Sequence, residues 1–310
     1  MITVLAGGVG AARFLQGLVR VVAPTEVTVI INTGDDVVLH GLHISPDVDT
    51  VTYTLAGLAD EGRGWGLKNE TWECLSALKR LGRETWFNLG DRDMAVHIHR
   101  TQRMQEGAPL AEVTAEVCER LGIACRLLPM SNERVETIVS TERGDTGFQE
   151  YLVKYQAMDR VKGIRFAGIE SAEPSDGVLE AITEAEGVII APSNPIISIG
   201  PILAVDGVRE RLTAARATVT AISPIVGGKA IKGPAADMMD ALGHEVSAYG
   251  VAEIYRPFLG SFIIDYADAA DLDRVRGLGI RTIITDTIMA SLERKTALAR
   301  AALRALGIEP

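Results

Sequence analysis

Residues 2–31 read ITVLAGGVGAARFLQGLVRVVAPTEVTVII, and the order of patterns within them decides the fold class. Residues 2–6 form a short apolar run that predicts a buried strand. A glycine-rich turn follows. Residues 11–22 then place Phe14, Leu15, Leu18 and Val22 at helical spacing, and residues 27–31 form a second β-branched run. Strand, helix, strand is the repeating unit of an α/β protein. The rhythm returns downstream. Helical patterns are predicted over 70–81, 110–121, 202–212, 235–242 and 289–306, and strands over 187–191, 218–222, 262–265 and 281–284. Gly82 and Gly122 stand where helix C-cap glycines belong. The expected fold is Rossmann-like: a mostly parallel sheet with helices on both faces.

One stretch breaks the rhythm. Residues 135–166 read VETIVSTERGDTGFQEYLVKYQAMDRVKGIRF, with a Gly-Asp-Thr-Gly turn between alternating segments. This predicts a smaller β-rich insertion or subdomain over 132–169, set between the two parts of a nucleotide-binding domain at 1–131 and 170–310.

Composition narrows the function. The 310 residues carry 31 Lys and Arg against 41 Asp and Glu, a net charge of -10. A nucleic-acid polymer calls for a basic face, so a single nucleotide is the better expectation. Hydrophobic residues make up 47%, enough for a sizeable core. No apolar run reaches the roughly 18 residues of a membrane span. The opening residues MITVLAGG read as a first strand and not as a signal peptide, so a cytoplasmic protein without membrane attachment is expected. Cys74, Cys118 and Cys125 are odd in number and lack C-x-x-C spacing, which favours free thiols over a disulfide or a zinc cluster.

Four predicted strands end in polar, glycine-bearing loops: GGVGAAR at 7–13, NTGDD at 32–36, APSNPIISIGP at 191–201 and SPIVGGKAIKGP at 223–234. In an open parallel sheet the ligand crevice lies outside the carboxyl ends of the strands, so these loops are candidate ligand loops. Gly8 and Gly10 let backbone amides approach a phosphate at a helix N-terminus, and Arg13 adds a cation. The motif is neither a dinucleotide fingerprint, since Arg13 holds its third glycine position, nor a P-loop, since no G-K-[ST] follows. Asn194, Ser198 and Gly200 suit hydrogen-bonded reading of a base or phosphate. Lys229 and Lys232 supply charge for a diphosphate, although surface lysines need no such role.

Asp35, Asp36, Asp47 and Asp49 fall within fifteen residues of one another. Beside a phosphate edge they call for a hard cation, and Mg²⁺ suits oxygen ligands and bridges phosphates. A solvated loop with helix-capping aspartates reads the same stretch without a metal. His40 and His43 lack the further ligands of a zinc site. In WFNLGDRDMAVHIHRTQ, at 86–102, His97 follows Asp93 by one helical turn, so a helix opened by Asp93 would let the carboxylate orient the imidazole. His99 faces elsewhere.

Taken in order, GGVGAARFLQGL, NTGDD, LHGLHISPDVDTVTYTLAG, RGWGLKNETW, LGDRDMAVHIHRTQ, RLLPMSNERVET, FQEYLVKY, APSNPIISIGPILA and SPIVGGKAIKGPAADMM resemble the 2-phospho-L-lactate transferase family. That family includes the phosphoenolpyruvate transferases of coenzyme F420 biosynthesis. The resemblance implies a Mg²⁺-dependent transferase that acts as a homodimer. Its donor is a guanosine diphosphate carrying enolpyruvate or lactate on the distal phosphate. Its acceptor is the deazaflavin Fo (7,8-didemethyl-8-hydroxy-5-deazariboflavin), whose ribityl hydroxyl displaces GMP. By position, Asp49 matches a deazaflavin-contacting and metal-proximal aspartate, and Asn88 a variable acceptor-contacting position. Gly8, Gly10, Asn194, Ser198 and Gly200 match the nucleotide loops. Asp35 is the expected second metal carboxylate, and Asp49, Asp93 and His97 are the expected catalytic groups, with Arg13 and Lys229 on the leaving phosphate. The bacterial-type GGVG-x-AR pattern leans toward an enolpyruvyl donor. The competing expectation is a non-catalytic nucleotide-sugar binder of the gluconeogenesis-factor type, against which the intact D-x-D-T and G-D-R-D-x-A-x-H segments speak. The glycine spacing and the lack of a Tyr-x-x-x-Lys motif speak still more strongly against a nicotinamide oxidoreductase.

Overall fold

The structure, a computed structural model, describes residues 1–231 and 233–309; Lys232 lies outside the described residues. Its centre is a seven-stranded sheet in the spatial order Arg281–Thr285, Ser261–Asp265, Val219–Ile222, Gly187–Ile190, Ile2–Ala6, Val27–Ile31, Arg126–Pro129. All neighbouring pairs run parallel. Val27–Ile31 and Arg126–Pro129 step outward on one side of Ile2–Ala6, and the last four strands of the sheet step outward on the other. The order therefore reverses between Ile2–Ala6 and Gly187–Ile190, the position at which such sheets bind ligands.

Five of the seven strands are buried along their whole length, as parallel strands must be when helices cover both faces. The pleat sorts their side chains. Ile2, Val4 and Ala6 pack with Phe14, Leu15 and Leu18 of the helix Gly8–Leu18 and with Leu298, Ala302 and Leu303 of the helix Leu292–Ala305. Leu5 points the other way, into a core with Ile182, Ile202, Leu212, Val251 and Tyr255. Each such large side chain contributes about 1.5–3 kcal/mol on burial.

The expected helix over 202–212 is two helices, Ile199–Ala204 and Val208–Ala214, parted at Gly207 with φ 77°. The closing helix starts at Leu292 because the Ser291 side chain accepts from the Arg294 amide. The strand Arg126–Pro129 has no counterpart among the expected strands. Within the unusual stretch, Glu136–Thr141 pairs antiparallel with Gly144–Gly147 and with Gly163–Ala167. FQEYLVKY does not extend that sheet; Glu150–Lys154 forms a π-helical turn, a geometry often found at functional sites. Two short antiparallel ladders, Val37–Leu39 with Leu42–Ile44 and Ile225–Val226 with Lys229–Ala230, complete the strands.

Candidate functional site

A cleft of about 680 Å³ opens at the carboxyl ends of the central strands, within the usual size for a small-molecule site. Gly8, Gly10 and Arg13 line it from the first turn, and Asp35, Asp47 and Asp49 from the acidic stretch. Asn88, Asp93 and His97 line it as well, as do Asn194 and Ser198. The proline-flanked turns reach the same space through Pro192, Pro224 and Pro234. Two expected residues stay out of it. Gly200 lies in the helix Ile199–Ala204 with the Phe166 ring only 3.1 Å from where a Cβ would sit, so its smallness serves packing. Lys229 is exposed on its hairpin.

The glycine turn works differently from a bare phosphate cradle. A Cβ on Gly10 would lie 2.2 Å from the Pro192 carbonyl oxygen. Glycine there lets the first turn close against the 192–198 loop across the switch point. The Gly8 backbone lies against the Asp47 carboxylate, so the positive end of the helix Gly8–Leu18 faces an acid. Arg13 is half-buried at the cleft and, among the described residues, has no hydrogen-bond or ion-pair partner.

The aspartates separate into groups with different partners. Asp47 lies in the first turn of the helix Pro46–Leu55, and Asp35 lies in the loop after Val27–Ile31. The Asn32 amide nitrogen bridges them, donating to Asp35 Oδ1 at 3.2 Å and Asp47 Oδ2 at 2.9 Å. Gln149 donates to Asp35 Oδ2 at 2.8 Å. Their near partners are neutral amides. Burial, with the charges of Asp47 and Asp36, holds the Asp35 carboxyl well above its ordinary range. Burial likewise pushes Asp47 up to about 7, against the bond from Asn32 and the nearby Gly8 amide. Asp36 turns aside. It accepts from Ser45 Oγ at 2.6 Å and meets His43 Nε2 at 2.9 Å, and burial still raises it.

Asp49 lies one turn further along its helix from Ser45 and is bound in bidentate fashion by Arg100, with Nη1 3.1 Å from Oδ2 and Nη2 on Oδ1. Arg100 comes from the helix Asp93–Gln105, where Asp93, His97 and Arg100 fall at i, i+4 and i+7 on one face. Asp93 accepts from the Tyr53 hydroxyl at 2.5 Å, and its Oδ2 lies 3.2 Å from His97 Nε2. Burial opposes the Asp93 charge. The His97 contact, the Tyr53 bond and the Arg100 charge outweigh it and leave the carboxyl below its ordinary range. Burial and the two acid charges push the Tyr53 hydroxyl well up.

Neighbouring acids set this helix in place. Glu70 accepts from the backbone amides of Arg92 at 2.7 Å and Asp93 at 3.2 Å. Asp91, next but one to Asp93, faces away and caps the helix Glu73–Arg80 through the amides of Glu73 and Cys74, each at 2.9 Å. Asn88 is exposed at the cleft rim. His99 is also exposed, 3.3 Å from Glu116.

Asp35 and Asp49, expected as the metal pair, both line the cleft but take different partners. Asp49, Asp93 and His97 each offer a ligand atom within 4.8 Å of the others, a possible metal-binding group. His97 Nε2 is buried without a hydrogen-bond partner, its contact with Asp93 being close but not aligned. That set mixes nitrogen with oxygen, and Arg100 already neutralises Asp49. Asp35 and Asp47 present oxygen alone with no cation beside them, the donor chemistry that Mg²⁺ prefers.

Sequence reasoning missed several contributors. Thr287, Ile288, Met289 and Ala290 line the cleft after the strand Arg281–Thr285, and the rule about carboxyl ends pointed to them. Arg100 was legible as the next residue on the Asp93–His97 face. Gln149 and Phe148 arrive from the π-helical turn, and no local pattern forecast that approach.

Comparison with known proteins gives one answer. The family model described as 2-phospho-L-lactate transferase CofD matches residues 2–293. A phosphoenolpyruvate transferase from Kitasatospora aureofaciens is 44% identical over 309 residues, covering 97% of this chain and 96% of that one. A 2-phospho-L-lactate transferase from Methanothermobacter thermautotrophicus is 42% identical over 300 residues, again covering 97% and 96%. Among solved structures, a member of the UPF0052 family from Bacillus halodurans superimposes with a TM-score of 0.68 at 17% identity over 97% of this chain and 98% of that one. That likeness speaks for the fold alone.

Proposed function

The chain belongs to the 2-phospho-L-lactate transferase CofD family, and on that premise we propose how its cleft carries out the transfer. It is a transferase of coenzyme F420 biosynthesis that moves a phosphoenolpyruvyl or 2-phospho-L-lactyl unit. The donor in our reading is a guanosine diphosphate bearing that unit on its distal phosphate, and the acceptor is Fo. The observation that carries this is the meeting of the glycine turn, the acidic stretch and the proline-flanked turns in one cleft at the sheet's switch point.

The guanosine end of the donor lies along Asn194, Ser198, Pro224, Pro234 and the loop at 287–290. Its diphosphate lies toward Gly10 and Arg13, where the Arg13 guanidinium neutralises the departing GMP phosphate. Asp35 and Asp47 would hold Mg²⁺, which when bound supplies charge neutralisation across the diphosphate. Asp49, expected at both the metal and the acceptor, is assigned to the acceptor alone, with Asn88 at the rim. The ribityl oxygen attacks the distal phosphorus, the bond from that phosphorus to the GMP oxygen breaks, and the hydroxyl proton passes to Asp93. His97 and Tyr53 hold the Asp93 carboxylate in line. Phosphoryl transfer is mainly positioning and charge stabilisation, so a carboxylate below its ordinary range suffices if the proton leaves late. Arg13 within GGVG-x-AR favours the enolpyruvyl donor. In our reading the protein works in the cytoplasm as a homodimer; no helix among the described residues is long and apolar enough to cross a membrane.

The test is incubation with enolpyruvyl- or lactyl-diphosphoguanosine, Fo and Mg²⁺, with mass detection. Equal amounts of GMP and a deazaflavin phosphodiester are expected, with the faster rate from the enolpyruvyl donor. Absence of GMP, or GMP without the deazaflavin product, contradicts the reading.

A further inference from the structure

Between the helices Pro46–Leu55 and Glu73–Arg80 the chain forms a short closed loop whose construction the transfer chemistry above does not use. Ala59 and Leu67 pair across its base. Asp60 Oδ1 accepts from the amides of Gly62 and Arg63, each at 3.0 Å, and the Arg63 guanidinium donates to the Leu67 carbonyl at 2.6 Å. At the turn stands Trp65, between Gly64 at φ 77° and Gly66 at φ 69°. Both flanking positions occupy the left-handed region, so the turn is affordable only to glycine.

Trp65 is 39% exposed and lines the main cleft. Its indole does not hang free. The Arg63 guanidinium lies 5.2 Å from its ring centroid and 5.3 Å from that of Trp72. The two indoles meet edge to face, 5.9 Å apart. The loop is anchored from below as well, since Glu61 accepts from Gln16 at 3.2 Å and lies 3.9 Å from the buried Lys295. A large apolar side chain left exposed, yet fixed by a cation, a second indole and a tethered loop, is preorganised for a flat partner.

We propose that Trp65 binds the acceptor, its indole supplying the face on which the tricyclic deazaflavin ring stacks. The inference rests on the transferase reading and deepens it. Tyr53 and Trp65 also line a small side pocket together, and Tyr53 donates to Asp93, so a ring held at Trp65 keeps its ribityl chain near Asp93. Stacking tolerates any aromatic face and falls away with truncation.

The test is steady-state turnover by the full chain carrying Trp65→Ala or Trp65→Phe. The alanine variant is expected to raise KM for Fo about tenfold or more, with KM for the diphosphoguanosine donor unchanged, and the phenylalanine variant to restore most of the loss. The unchanged donor KM also reports an intact fold. Fo KM within about twofold of the wild type in Trp65→Ala, or a rise confined to the donor, overturns the inference while leaving the transferase reading in place. A wild type that forms no deazaflavin product defeats both.

Discussion

Two pairs of carboxylates, three of them buried and Asp93 half-buried, line the same cleft and are built in opposite ways. Asp49 and Asp93 are met by Arg100, His97 and Tyr53, so their charge is answered within the protein. Asp35 and Asp47 are met by the amides of Asn32 and Gln149, which orient them without neutralising them. The titration directions follow: Asp93 falls below its ordinary range, while Asp35 and Asp47 rise above theirs. A group whose charge is balanced at rest suits positioning an uncharged alcohol. A group left unbalanced is completed by a ligand cation.

The sharpest way to break the contrast is to strip the first pair of its cation. Arg100→Ala leaves Asp49 buried and unanswered, and should cost about 3–5 kcal/mol in denaturant unfolding. Adding Asp49→Asn to that variant should recover part of the loss. Unfolding indifferent to Arg100→Ala would mean that Asp49 is not neutralised from within.

The second pair should give the metal-free protein a pH dependence of definite sign. The folded state holds the Asp47 proton up to about 7, whereas an unfolded chain releases it near 3.9. Between those values the folded state binds more protons, so stability falls as pH rises, by at most about 1.4 kcal/mol per pH unit for one proton. Asp47→Asn should flatten that slope, and Mg²⁺ should do the same in the wild type. Thermal melts across this window check both. Asp93 has the opposite sign: its contribution is present above the ordinary carboxylate range and is lost as pH falls through its lowered value.

Tyr53→Phe should have a smaller effect. It removes one hydrogen bond to a carboxylate, about 1.5–3 kcal/mol, and should lower turnover while leaving donor KM unchanged. Gln149→Leu should act least on stability. It deletes one neutral donor to Asp35, and it should sharpen the pH slope of the metal-free protein, which melts can follow.

How much of this could be read from the sequence depends on the range of the forces. The βαβ opening was legible because apolar periodicity is local, and Gly8, Asp35 and Asn194 were legible because turn residues at strand ends mark the ligand edge. Asp93 with His97 was legible from helical spacing. The partner of each aspartate was not. Asn32 lies fifteen residues from Asp47, Arg100 lies fifty-one from Asp49, and Gln149 lies 114 from Asp35. Those pairings come from how the Pro46–Leu55 and Asp93–Gln105 helices and the π-helical turn pack over the sheet. For that reason the two expected metal carboxylates, Asp35 and Asp49, take different partners. Gly200 and Lys229 carried the right residue types, but Gly200 packs against Phe166 and Lys229 points to solvent.

The division of labour between the two pairs is tested most directly by the Mg²⁺ dependence of product formation in Asp47→Asn and Asp49→Asn at saturating donor and Fo. For Asp47→Asn the account predicts that the Mg²⁺ concentration giving half-maximal rate rises about tenfold or more. For Asp49→Asn it predicts a lower maximal rate at an unchanged Mg²⁺ requirement. A shifted Mg²⁺ requirement in Asp49→Asn, with none in Asp47→Asn, would contradict it.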